Sequence, residues 1–191
     1  MAEALEDAVD AEDKRVALII AILALVLALA EAGAKNAEHR STELNIESSD
    51  LYNFYQAKRV RSTIAETAAQ AFEIERAGVA DPKAGEAVDK QIAEWKATVA
   101  RYEKDPKKPE DSLDALQERA TAAAEGRERY NRKLEHFEYA AGALQIAIVL
   151  ASAAIITGVA ALAWLAGGLG LVGAALLGFG YFAPTTLPFF G

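Results

Sequence analysis

Between residues 139 and 191 the chain carries no Asp, Glu, Lys or Arg. An uncharged block of this length beside a highly charged remainder is the pattern of a membrane protein with a water-exposed domain. In lipid every backbone N–H and C=O must be satisfied internally, which points to helices. About 20 residues cross the hydrocarbon core at 1.5 Å per residue. The block is too long for one crossing and suits two, read here at 139–157 and 164–182. The turn is placed near 157–164, where Thr157-Gly158 and the glycine group "AGGLG" lie. The second of these spans is rich in glycine (Gly167, Gly168, Gly170, Gly173, Gly178, Gly180). Small residues let helices approach closely in lipid, so this span is expected to pack against protein. The ending "YFAPTTLPFFG" should leave the helix at Pro184 and lie in the interface as a tail at 183–191.

Charge is segregated elsewhere too. Residues 1–15 form an acidic tail with Glu3, Glu6, Asp7, Asp10, Glu12 and Asp13 against Lys14 and Arg15. Residues 16–30, "VALIIAILALVLALA", carry no charge. Extended to Ala34, with Glu31 near the interface and Lys14, Arg15 and Lys35 as snorkelling flanks, they make a span at 16–34. A secretory signal peptide is the rival reading, since "ALA" at 28–30 fits a cleavage site. An n-region dominated by acid argues against it. All other charged residues fall at 31–138. The slightly positive mean hydropathy of a chain that is 25% charged is therefore an average over two populations.

Residues 35–138 read as helical almost throughout, with no sustained strand-type alternation. Breakers occur in "GVADPKAG" and "DPKKPED", dividing the segment into helices at about 38–78, 85–104 and 109–138. The third has Leu113, Leu116, Ala120, Ala123, Arg127, Tyr130, Leu134 and Phe137 at alternating three- and four-residue steps. The series continues through Ala141, Leu144, Ile148 and Ala151. One heptad seam is thus expected to run into the apolar block without a phase slip, with Arg127 its one charged member. The middle helix has a stripe of Val88, Ile92, Trp95, Val99 and Tyr102. The first has Leu44, Leu51, Phe54, Tyr55, Val60, Ile64, Ala68, Ala71 and Phe72. The fold class is therefore an all-α membrane protein. It has three transmembrane helices and a helical, coiled-coil-like extramembrane domain between the first two. The stripes are narrow and alanine-rich, so the chain is expected to form a homo-oligomer or join a larger membrane complex.

Few chemical classes survive. There is no cysteine for a disulfide or thiolate metal site. No nucleophile elbow, phosphate loop, zinc-protease or calcium-loop pattern occurs. Neither catalytic, cofactor-binding nor metal residues are assigned, and no cofactor is expected. His39 and His136 lack an identifiable set of partner ligands. The net charge of −8 disfavours nucleic acid. Glu31 is the best carboxylate for an ion path, though an interface position explains it more simply. Gln145 should make an interhelical hydrogen bond. Two basic clusters stand out. Lys58, Arg59 and Arg61 form one. Arg127, Arg129, Arg132 and Lys133 form the other, and these four are the candidates for anionic lipid head groups at about 1 kcal/mol per base. Glu125, Glu128 and Glu135 lie close enough to pair with many of them along the helix.

The arrangement resembles the bacterial membrane proteins grouped as domain of unknown function 4337. The resemblance rests on "STELNIESSDLYNFYQAKRVRST" (41–63), "RYEKDP" (101–106) and "FEYAAGALQIAIVLASAAIITG" (137–158), and covers nearly the whole chain. It implies a membrane protein and no established activity; a multi-pass protein of a bacterial inner membrane is the expected location. Relatives often carry a basic turn after the second span, where this chain has the apolar "GVAALAW". Counting basic residues near the span ends puts the extramembrane domain on the cytoplasmic side. A basic turn would put it on the other. The expected role is a non-enzymatic scaffold or accessory subunit, with a small channel or transporter subunit as the alternative.

Overall fold

The computed structural model describes residues 2–184, and their side chains from residue 14 onward. The side chains of the acidic tail before residue 14, and the expected interfacial tail beyond Pro184, lie outside the described residues. Four α-helices make up the described chain: α1 (Ala2–Arg76), α2 (Pro82–Glu103), α3 (Leu113–Thr157) and α4 (Ala160–Phe182). A short 3-10 turn at Pro109–Asp111 precedes α3. No strand occurs among the described residues. Three helices, α1, α3 and α4, are long and apolar enough to cross a membrane.

Local chemistry sets the ends of these helices. No proline precedes Pro82 and the only glycine before Gly78 is Gly33, so the stretches at 16–34 and about 38–78 form one helix. Gly78 closes it, its N–H donating to the Glu75 carbonyl at 2.9 Å. Asp81 caps α2 by accepting from the Lys83 N–H, with Pro82 in the first helical turn. After α2, the Asp105 carboxylate accepts from the backbone N–H of Lys107 at 2.9 Å and of Lys108 at 3.3 Å. The Lys107 N–H, above all, holds the Asp105 carboxyl below the usual aspartate value. Ser112 caps α3 by accepting from the Ala115 N–H. Gly158, at φ +69°, ends it in the left-handed conformation.

The chain divides into two compact units. The first, residues 43–126, is a thin helical layer. Residues 44–58 of α1 pack antiparallel to the start of α3. Leu51 meets Leu116 and Ala120 in a small core with Tyr55 against it, and the Ser48 hydroxyl donates to the Ala120 carbonyl at 3.1 Å. Further along, α1 packs antiparallel to α2. Phe72 and Trp95 meet edge to face at 4.8 Å, Lys96 pairs with Glu73, and Arg76 pairs with Asp89 at 2.9 Å.

The face that α1 turns inward differs from the stripe expected from its large apolar residues. The covered positions are Leu44, Ser48, Leu51, Tyr55, Lys58, Ser62, Ala65, Ala69, Phe72 and Arg76, at alternating four- and three-residue steps, with Ala68 at their edge. Phe54, Val60, Ile64 and Ala71 are exposed instead. Serine and alanine bring the helix axes close, and the seam gains its contact from proximity rather than side-chain size. Ser62 is 2% exposed and Ala69 3%.

The second unit, residues 1–42 and 127–191, is a three-helix bundle. Its core is Leu23, Ala30 and Ala37 of α1, Phe137, Ala140, Leu144 and Ala147 of α3, and Leu177 of α4. The buried positions of α4 are Ala166, Gly170, Gly173, Leu177 and Gly180, again at four- and three-residue steps. A Cβ on Gly170 would meet Leu23, one on Gly173 would lie 2.7 Å from Leu144 Cγ, and one on Gly180 would lie 2.7 Å from Phe137 Cε1. These three glycines seat the helix. Gly167, Gly168 and Gly178 have nothing within 4 Å of an added Cβ.

The seam of α3 also departs from expectation. Leu113, Leu116, Ala120 and Ala123 are buried as the heptad requires. Beyond Phe137 the buried positions are Ala140, Leu144, Ala147, Ala151 and Ala154, while Ala141 and Ile148 are half-buried. The step after Phe137 is three residues rather than four, so the phase slips by one residue. Past that point α3 packs against α4 as well as α1, and the slip sets the Ala140 carbonyl beside Gly173, where Leu144, a member of both the expected and the observed series, also lies.

Gly173→Ala should destabilise the bundle by an overpacking cost of about 1–3 kcal/mol. Gly167→Ala should be neutral or slightly stabilising through helix propensity. Thermal unfolding in detergent, followed by circular dichroism, compares the two; equal effects would remove the role assigned to Gly173.

Candidate functional site

Polar groups in the three-helix unit concentrate near the point where charge ends on α3, after Glu138. Gln145 lies two turns beyond it, about 10 Å along the helix axis. Its Nε2 donates to Glu31 Oε1 of α1 at 3.4 Å. Two residues singled out separately in the sequence, far apart in the chain, thus meet as one polar pair. Both are exposed on the outside of the bundle. The bundle axis is filled by Ala30, Ala140, Leu144 and Ala147, each 0% exposed. A single chain therefore encloses no passage at this level.

About two turns before Glu138 on α3, the Ser41 hydroxyl donates to the Asn131 side-chain carbonyl across the α1–α3 contact. His136 is 7% exposed and its Nε2 makes no hydrogen bond. Its Cβ packs beside Gly180, a position the sequence did not single out for any role. His39 is exposed. Among the described residues no group of three or more His, Asp and Glu side chains could hold a metal ion.

The four basic candidates on α3 do not form one patch. Arg129, Arg132 and Lys133, at i, i+3 and i+4, share a side of the helix. Arg127 lies on the side of Tyr130 and Leu134 and is half-buried. Arg132 Nε reaches Glu128 Oε1 at 3.5 Å, an i,i+4 pair. Lys133 Nζ sits 5.2 Å from the centre of the Tyr130 ring. In the other unit the Lys58, Arg59, Arg61 cluster is also divided. Lys58 turns inward, donating to the Asp111 carbonyl and lying 5.0 Å over the Phe54 ring. Arg59 and Arg61 are exposed.

Two concave surfaces are chemically plain. An apolar groove of about 520 Å³ in the three-helix unit is lined by Ile22, Val26, Trp164 and Leu171 among others. Among its described lining residues the Trp164 indole N–H is the only polar side-chain group. In the helical layer, Glu43, Glu47, Asp50 and Arg119 border a shallow depression with Ile46 and Phe54. Neither surface brings a nucleophile and a base together.

A family model described as "Domain of unknown function (DUF4337)" matches residues 12–183. The chain belongs to that family. No curated protein matches it, and no solved structure does.

Proposed function

We propose, with membership of the DUF4337 family as premise, that this chain is an integral membrane protein that serves as an oligomeric scaffold or accessory subunit. It is not an enzyme. In this reading α1, the second half of α3, and α4 span a bacterial inner membrane, and the coiled-coil-like domain between the first two spans projects into the cytoplasm.

The observation that carries the reading is the inverted surface of the three-helix unit. Its core is mostly alanine, leucine and glycine. Leu18, Leu25, Val149, Ile156 and Leu171, by contrast, are each at least 60% exposed. Such a distribution costs stability in water and suits a lipid solvent. Aromatic residues support the same placement. Trp164 lies at one end of α4 and Tyr181 and Phe182 at the other, about 26 Å apart along the helix, close to the hydrocarbon thickness. Interfacial aromatic rings are favoured at those two levels. The side of α3 that carries Arg129, Arg132 and Lys133 then faces anionic head groups, at about 1 kcal/mol per base.

One observation favours a channel or transporter subunit as the second reading. The Glu31–Gln145 pair is polar, lies within the apolar stretch and is open to the outside of the bundle. Several copies would have to surround a path for the pair to line it.

Extraction in mild detergent and mass measurement should give two or more copies; a strict monomer would overturn the oligomeric scaffold. In the same preparation, replacing Arg129, Arg132 and Lys133 with Gln should lower the anionic lipid retained; unchanged retention would remove the head-group role. For the second reading, Glu31→Gln should alter ion flux in liposomes; identical flux in variant and parent would end it.

A further inference from the structure

The unit formed by residues 43–126 leaves one face of α1 uncovered. Residues 44–58 meet α3 and residues 62–76 meet α2 through the same small-residue seam. The opposite side carries a second seam. Ala57, Val60, Ile64, Thr67, Ala71 and Ile74 recur at steps of three, four, three, four and three, and all six are exposed. Val60 is 58% exposed, Ile64 63% and Ile74 79%. This 3.5-residue spacing makes one stripe that slants by about 20° per heptad, the pattern that receives another helix lying alongside at a shallow left-handed crossing.

Charge is missing from the stripe and from most of its borders. Gln56, Thr63 and Gln70 flank it on one side; Arg61, Ala68 and Glu75 flank it on the other. The remaining charges of this stretch, Lys58, Arg59, Glu66 and Glu73, lie on other faces. In a chain of net charge −8, this uncharged strip has the composition of an interface centre rather than of a solvated helix face.

We propose that this stripe is the contact between two copies of the chain, α1 against α1 in parallel. The proposal rests on the oligomeric membrane reading above, because copies inserted the same way in one membrane present their α1 helices in the same direction. Parallel pairing in register stacks each seam residue on its own counterpart. It also sets each flanking residue against the one five positions on in the other copy. Gln56 then meets the partner's Arg61, Thr63 the partner's Ala68, and Gln70 the partner's Glu75. No like charges meet, so the surface is compatible with itself. The small pairs at Ala57 and Ala71 allow close approach, and Val60, Ile64 and Ile74 fill the layers between and beyond them.

The chain has no cysteine, so single substitutions report single contacts. Full-length Ala57→Cys and Ile74→Cys, each alone in liposomes under mild oxidation, should form disulfide-linked dimers. Glu66→Cys, on another face of the same helix, should not. Ile64→Asp should weaken the dimer at least about tenfold, with helicity by circular dichroism unchanged because Ile64 is exposed within one chain. An oligomeric mass without crosslinking at Ala57 and Ile74, or with equal crosslinking at Glu66, would overturn the seam and leave the scaffold reading standing. Crosslinking only when Ala57→Cys and Ile74→Cys chains are mixed would overturn the parallel arrangement. A strict monomer would overturn both the seam and the scaffold.

Discussion

The Phe137 ring is the fixed point of the three-helix unit. It occupies two notches, one on each neighbouring helix. A Cβ on Gly33 of α1 would come within 3.1 Å of Cε2, and one on Gly180 of α4 within 2.7 Å of Cε1. Tyr181 closes over it, ring centre to ring centre at 4.9 Å. Lipid tails are as apolar as the side chains, so helices in a membrane gain little from hydrophobicity and depend on fit. A planar ring held between two backbones supplies that fit. It also sets the phase of the remaining turns of α3. Ala140, Leu144 and Ala147 come next on the buried face, and Leu144 meets Gly173 as Phe137 meets Gly180.

The helical layer of residues 43–126 uses a related economy without glycine at its centre. Ser48, Ser62, Ala65 and Ala69 line the inner face of α1, and the Ser48 hydroxyl is satisfied by a carbonyl of α3. A buried hydroxyl is tolerated because it finds this acceptor. Contact is won by approach, and the bulkier Val60, Ile64 and Ile74 remain on the other side of the same helix. A layer built this way buries modest apolar area within one chain. That gives the outer face its place in the proposed assembly.

The polar pair Glu31–Gln145 sits on the outer surface of the three-helix unit, while the axis is closed by alanine and leucine. Within one chain the pair ties α1 to α3 by a side-chain hydrogen bond. A transport role would require further copies around it. The basic residues of α3 are similarly distributed by helix geometry. Arg129, Arg132 and Lys133 share a side, and Arg127 lies with the inward residues because it is a member of the seam.

The sequence alone determined what depends on one dimension. The absence of charge after Glu138 and between Arg15 and Glu31 marked the apolar stretches, and "GVADPKAG", "DPKKPED" and Thr157-Gly158 marked the breaks between helices, because breaking and capping involve only near neighbours; the starts expected at about 85 and 109 fall at Pro82 and Leu113, behind the caps Asp81 and Ser112. The family was also legible, in "LYNFYQAKRVR" and "LQIAIVLASAAIIT". The tertiary structure decided which face of each helix is inside. Hydrophobicity favoured Val60 and Ile64 as core of α1, yet Ser62 and Ala69 are buried, because nearness between backbones outweighs side-chain size. It also decided the slip after Phe137 and the meeting of Glu31 with Gln145. Each depends on where a second helix lies, and spacing along one chain carries no record of that.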